Sequence, residues 1–143
     1  TDLEWADCEA LERRHDKGRG SLIVFDTPMR GRGPTYAFRK RILRWSGVPL
    51  LWSGKTSGSE PRALCHYDTV DCLVPPEAGA YVCAERPESL VGGYWKKMQQ
   101  YNEMNGCEFF EGLVAKKVDS KYHIQLRSPN EKYGYWIKHR FKA

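Results

Sequence analysis

The 143-residue sequence lacks any apolar run long enough to span a bilayer, and no signal-peptide pattern opens it. It also lacks internal repeats and low-complexity tracts, which argues against repeat arrays and disordered linkers. These absences indicate an intracellular protein of the cytoplasm or nucleus with no membrane partner. The length fits one domain with a real hydrophobic core.

The five cysteines include no C-x-x-C pair, which most small zinc sites and disulfide-exchange sites use. The spacing of Cys65, His66, Cys72 and Cys83 suits no common zinc site, so zinc binding is the weaker alternative. We therefore expect buried, reduced thiols in a reducing compartment.

Acidic residues are scarce between Arg13 and Arg44, where Asp16 and Asp26 are the only two. The whole chain carries a net charge of +5, and its isoelectric point is about 9.0. This bias favours polyanionic partners, although charge alone fits a solvated basic face equally well.

Apolar periodicity predicts an α+β fold with a mixed, mainly antiparallel sheet and packed helices. Residues 36–45 form a predicted helix with Phe38, Ile42 and Trp45 on one stripe and arginines opposite. A second predicted helix spans 87–105 and ends at Gly106. The predicted strands or extended segments are 21–28, 69–77, 80–85, 109–118 and 135–141, with a polar connection at 52–62 and a hairpin turn before the last strand.

The last two predicted strands place charged side chains at regular intervals. Alternation puts Glu111 on the face of Leu113 and Ala115, and Lys116 on the opposite face. On the final strand, Trp136, Lys138 and Arg140 point the same way. Paired cations suit a phosphate chain, and a nearby carboxylate could hold a divalent metal.

These residues resemble motifs IV and V of the covalent nucleotidyltransferases, and most closely those of ATP-dependent DNA ligases. The family reads E-G-apolar-apolar-x-K, then D-S-x-Y, Arg-Ser and W-apolar-K-x-K/R. The matching segments are 111–116, 119–122, 127–128 and 136–140. Upstream, "LIVFDTP" resembles motif IIIa, and "TDLEW" resembles the end of motif III with Leu3 where the family has glycine.

The resemblance implies a DNA ligase that forms lysine-AMP, transfers AMP to a 5′-phosphate end and seals it with a 3′-hydroxyl. It implies ATP and Mg²⁺ as cofactors, nicked duplex DNA as partner and a monomeric full-length enzyme. The implied residues are Glu111 and Lys138 for catalysis; Phe25, Lys116, Lys138 and Arg140 for the nucleotide; Glu111 and Glu4 for the metal; and Arg39, Lys40, Arg41 and Arg44 for DNA.

The family's nucleophilic lysine, in K-x-D-G, is absent from this sequence. Lys17 and Lys55 each keep a following glycine, but both lack the aspartate and lie too late in the chain. No OB-fold domain follows Arg140, so we interpret residues 1–143 as one partial nucleotidyltransferase domain. An RNA ligase, an mRNA-capping guanylyltransferase and a non-catalytic nucleic-acid-binding module remain alternatives, and the D-S-x-Y and Arg-Ser segments favour DNA.

Overall fold

Two sheets and two helices make up the part of the chain that the structure describes. The computed structural model describes residues 3–12, 18–29, 34–53, 63–65, 70–122 and 136–142. In chain order the elements are β1 Asp7–Ala10, β2 Leu22–Asp26, α1 Tyr36–Trp45, β3 Leu50–Ser53, β4 Ala63–Cys65, β5 Ala80–Val82, α2 Val91–Asn105, β6 Gly112–Lys116 and β7 Trp136–Arg140. Short 3₁₀ turns lie at Val70–Leu73 and Glu88–Leu90.

The larger sheet has the strand order β1-β2-β5-β3-β4. Strand β1 is antiparallel to β2, whereas the other three pairings in this sheet are parallel. The smaller sheet is the antiparallel pair β6–β7. The α+β class and the terminal antiparallel pair are thus confirmed, but the larger sheet is not mainly antiparallel. Helix α1 returns the chain across the sheet between β2 and β3, and such a crossover makes parallel strands.

Three apolar clusters hold these layers together. Neighbouring residues of β2 point to opposite sheet faces, so Val24 joins the cluster under α1 and Ile23 joins the cluster on the other face. The third cluster packs α2 against one face of the β6–β7 hairpin. Its buried members are Val70, Val74, Met98 and Tyr101, with Leu73, Phe109, Phe110, Leu113 and Phe141 packed against them.

Some predicted elements differ from the observed ones. Residues 69–77 were expected to be extended, but Val70–Leu73 is a 3₁₀ turn that directs Val70 and Val74 into the same cluster. Strands β1, β3 and β4 were not predicted, and β1 shows why, because its exposed and half-buried residues leave no apolar pattern. Helix α2 ends as expected, with Gly106 in the left-handed conformation at φ +60°.

The thiol prediction holds only in part. Cys8 is exposed on β1, and Cys83 and Cys107 are only half-buried, all three as free thiols. An edge strand leaves every second side chain in solvent, which explains the exposure of Cys8. The side chains of Cys65 and Cys72, and all of His66, lie outside the described residues.

Helix α1 forms as predicted, but it packs on the other face. Phe38 and Trp45 are 43% and 61% exposed, whereas the buried residues are Tyr36, Arg39, Lys40 and Leu43. The buried set recurs at three or four residues, so it forms a true helical stripe. The apolar pattern predicted the wrong inward face because two of the buried residues of α1, Arg39 and Lys40, are charged.

The guanidinium of Arg39 is completely buried and fully engaged. Its Nε and Nη2 donate to the two carboxylate oxygens of Asp26 at 2.8 and 3.1 Å. Its Nη1 donates to the carbonyl oxygens of Pro34 and Ser120 at 2.8 and 3.0 Å. A two-pronged ion pair with further acceptors meets the requirement for burying a charge.

Lys40 is also buried, and its ammonium donates to the carbonyl oxygen of Cys83 at 3.0 Å. A carboxylate oxygen of Glu85 lies 3.9 Å away. Both side chains are therefore committed to the interior, so their burial does not support the predicted contact with the DNA backbone.

We expect Arg39→Met to lower the free energy of unfolding by about 3–5 kcal/mol, because it leaves Asp26 as an uncompensated buried charge. Arg41 lies two residues later, on the exposed side of α1. We expect Arg41→Met to change the free energy of unfolding by less than about 0.5 kcal/mol. Urea unfolding followed by circular dichroism measures both. Equal losses in the two variants would contradict the role assigned to Arg39.

Gly112 begins β6 in a conformation that other residues rarely adopt, with φ +148°. A Cβ atom placed here would collide with the carbonyl oxygen of His139 and lie 2.9 Å from the Cα of Arg140. The glycine of the E-G-x-x-x-K segment therefore allows close approach of the β7 backbone.

We expect Gly112→Ala to destabilise the protein by at least about 1–3 kcal/mol, the usual cost of forcing a side chain into this backbone region. Gly92→Ala is the matched control, since a Cβ there meets nothing within 4 Å and alanine favours a helix. Urea midpoints at constant m-value test the pair. A Gly112→Ala variant as stable as Gly92→Ala would be inconsistent with this close approach.

Candidate functional site

The candidate site lies where the carboxyl ends of two parallel strands meet the start of α1. Strand β2 ends at Phe25 and Asp26, Cys83 follows the parallel neighbour β5, and Tyr36 opens α1. Ligands of sheets with parallel strands commonly bind beyond these carboxyl ends.

The segment that follows β6 is fastened to the first turn of α1. The backbone N–H groups of Tyr36 and Ala37 donate to the carbonyl oxygens of Ser120 and Val118 at 2.7 and 2.9 Å. The same Ser120 carbonyl oxygen accepts from buried Arg39. These bonds satisfy donors that a helix start leaves open, and they fix the β6–β7 hairpin beside the end of β2.

The ammonium of Lys116 lies among three aromatic rings, which we call the aromatic cage (Phe25, Tyr36 and Trp136). Its Nζ is 3.8 Å from the ring centroid of Trp136, 5.0 Å from that of Tyr36 and 5.9 Å from that of Phe25. It also donates to the carbonyl oxygen of Phe25 at 3.3 Å. Ring faces attract a cation, so the cage stabilises the ammonium in place of bulk water.

Burial lowers the pKa of Lys116 to about 8, and the positive charge of Lys40 acts in the same direction. The negative charge of Asp26 opposes this shift. Burial also raises the pKa of Tyr36, with Glu85 and Asp26 adding to the effect. The cage therefore holds an ammonium that loses its proton more readily than an exposed lysine, beside the Tyr36 phenol, which stays neutral.

Strand β7 carries two further cations beside the cage. The register pairs Lys116 with Trp136, Val114 with Lys138, and Gly112 with Arg140. Cross-strand partners share a face, so Lys116, Lys138 and Arg140 belong to one face of the hairpin, here called the cation face. Lys138 and Arg140 are exposed. The predicted common direction of Trp136, Lys138 and Arg140 agrees with this register.

The predicted acidic residues stand apart from the cation face. Glu111 precedes β6 and, by continued alternation, takes the face of Leu113, which packs toward α2. In this register, the carboxylate that was expected near the paired cations is therefore on the opposite face of the hairpin. Glu4 is exposed in a bend before β1. Within the described ranges, no group of three His, Cys, Asp or Glu side chains could hold a metal ion.

The sequence did not single out two aromatic members of this site. Tyr36 was read only as a helix residue, although it contributes a ring to the cage. Tyr122, in the D-S-x-Y segment, donates to a carboxylate oxygen of Asp7 at 3.0 Å and packs edge-on against Trp136 at 5.8 Å. No local pattern marks either role, because each depends on residues far away in the chain. Residues 127–128, Lys17 and Lys55 lie outside the described residues.

No family model, no curated protein and no solved structure matches this chain. Among the described residues, neither helix has the length and apolar character needed to cross a bilayer.

We expect the stability of the wild type relative to Lys116→Met to rise between pH 8 and pH 10. The folded chain releases the Lys116 proton near pH 8, whereas the unfolded chain keeps it to about pH 10.5. The unfolded state binds more protons in this window, so increasing pH favours folding. Urea unfolding at pH 7, 8, 9 and 10 measures the difference.

Lys117→Met is the control, because Lys117 is exposed and pairs with Asp119 at 3.7 Å. Tyr36 and other groups that titrate at high pH are common to all three proteins and cancel in the comparison. A pH-independent difference between wild type and Lys116→Met would contradict the burial of this ammonium.

Proposed function

We propose that this chain is part of an ATP-dependent DNA ligase and supplies the nucleotide-binding face of its adenylation domain. The supporting observation is the convergence of Phe25, Lys116 and Trp136, which come from the three segments that resemble motifs IIIa, IV and V. Lys116 and Phe25 are 91 residues apart in sequence, yet a hydrogen bond joins them. The resemblance requires these segments to share one site.

In this proposal the aromatic rings receive the adenine, and the cation face receives the phosphates. Lys138 and Arg140 neutralise charge that builds on the α-phosphate as AMP is transferred. Arg140 adds a planar donor group suited to phosphate oxygens. Both side chains are exposed, so they are accessible to a ligand without rearrangement of the fold.

The described residues provide no protein-only metal site. Mg²⁺ in nucleotide sites is commonly held by one or two carboxylates together with substrate phosphates and water. Glu111 or Glu4 would be such a carboxylate, and the bound ion would polarise phosphate oxygens. Glu111 and Lys138 lie on opposite faces of the hairpin, so the assignment of Glu111 as a metal ligand stays a prediction.

The DNA-binding part of the proposal now depends on the outer side of α1. Arg41 is exposed and Arg44 is half-exposed, and the helix contains no acidic residue. Phe38 and Trp45 lie exposed on the same helix. Arginines that contact phosphates fix the position of a duplex, and exposed rings can stack on the bases at its break.

The absent K-x-D-G lysine favours one competing function, a nucleic-acid-binding module without catalysis. RNA ligases and mRNA-capping guanylyltransferases remain the other candidates, since they share the same nucleotide chemistry. Incubating the product of the complete reading frame with labelled ATP or GTP separates these classes. Covalent label from ATP supports a ligase, label from GTP supports capping, and no label supports a binding module.

We expect Lys138→Ala in that complete product to lower covalent labelling by ATP at least about 100-fold, because a charge-stabilising donor is lost. Thermal unfolding should be unchanged, since Lys138 is exposed. Lys142→Ala is the control: Lys142 follows β7, is exposed and pairs with Glu108. Undiminished lysine-AMP formation by Lys138→Ala would remove this residue from the proposed mechanism.

A further inference from the structure

The position of Lys116 conflicts with its proposed role as a phosphate contact. Its ammonium lies over the face of Trp136, 3.8 Å from the ring centroid. A base packed on Trp136 would place its ring centroid about 4.5–7 Å away, over the ring face that the ammonium now covers. A base stacked on Trp136 at this point would overlap the ammonium, so the two cannot occupy the aromatic cage together.

The alternative position for the ammonium is farther along the cation face, beside Lys138. Lys116 is opposite Trp136 in the register, and Lys138 is the next residue but one along β7. Diagonal neighbours across an antiparallel pair lie about 7–8 Å apart, within reach of a lysine side chain. Rotation about the side-chain bonds of Lys116 would therefore bring its ammonium beside Lys138, on the face that also carries Arg140.

Without an anion, charge repulsion opposes that position. Lys138 and Arg140 already lie on the cation face, whereas the cage offers Lys116 three ring faces and the carbonyl oxygen of Phe25. A bound phosphate reverses the preference because it attracts all three cations. The balance between the two positions is thus set by the ligand.

We propose that Lys116 exchanges between two positions, occupying the aromatic cage in the empty site and leaving it for the phosphates when an adenine nucleotide binds. The base then takes the space that the ammonium vacates. This inference rests on the proposed function and names Lys116 as the residue that links recognition of the base to recognition of the phosphate. An adenine compound without phosphate must displace Lys116 without compensation, whereas a nucleotide gives the displaced cation a new partner.

The test compares adenosine and AMP binding by the 143-residue chain, measured by isothermal titration calorimetry. Lys116→Met removes the cation that competes with the base, so we expect it to bind adenosine about threefold to tenfold more tightly than the wild type. The preference for AMP over adenosine should shrink in this variant, because AMP loses one phosphate contact. Lys116→Gln, which keeps polarity without charge, should change both quantities in the same directions.

Lys117→Met provides the matched control and should match the wild type for both compounds, since Lys117 is exposed and follows β6. Tighter adenosine binding by Lys116→Met and Lys116→Gln alone supports the exchange. Unchanged or weaker adenosine binding by both variants overturns it, and so does the absence of adenosine binding in all four proteins. This binding experiment does not measure covalent labelling. The ligase proposal can therefore fail while the exchange of Lys116 stands, and the exchange can fail while the ligase proposal stands.

Discussion

The buried ion pair between Arg39 and Asp26 is the interaction on which the rest of the structure depends. Asp26 ends β2, Arg39 lies on the inner side of α1, and the arginine also bonds to the Ser120 carbonyl oxygen beyond β6. One guanidinium therefore joins the larger sheet, the first helix and the segment that carries the hairpin. Removing these charges from water is costly, and only the complete set of acceptors offsets that cost. The pair consequently specifies one arrangement of the three elements.

That arrangement determines the electrostatics of the candidate site. Asp26 serves Arg39 directly and also raises the proton affinity of Lys116 from a distance. Lys40, held against the Cys83 carbonyl oxygen, acts in the opposite sense. Burial and Lys40 thus lower the pKa of Lys116, whereas Asp26, Cys83 and Asp7 raise it, and aromatic rings surround the ammonium in place of water. A negative charge arriving nearby, such as a phosphate, would therefore raise the pKa of Lys116.

The sequence predicted the positions of helices and strands better than it predicted how these elements pair and pack. Strand β2, both helices and the β6–β7 pair follow from local apolar patterns and from the glycine after Asn105. The parallel pairing of β2, β5, β3 and β4 could not be predicted from local patterns, because it depends on where each connection returns the chain to the sheet. The inward face of α1 was predicted wrongly, because a pattern of apolar residues does not show that Arg39 pairs with the buried carboxylate of Asp26. The aromatic cage was missed for the same reason, since Tyr36 and Trp136 meet only through tertiary contacts.

The cation face is the strongest physical argument for the proposed anionic ligand. A lysine on an exposed strand guards the edge against pairing with another chain. Here the register aligns Lys116, Lys138 and Arg140 on one side of a two-stranded hairpin, where like charges repel. Lys116 instead lies among aromatic rings, where burial lowers its pKa. A fold gains no stability from assembling such a set. In the proposed function a nucleotide would supply the missing negative charge through its phosphates and a ring for the cage.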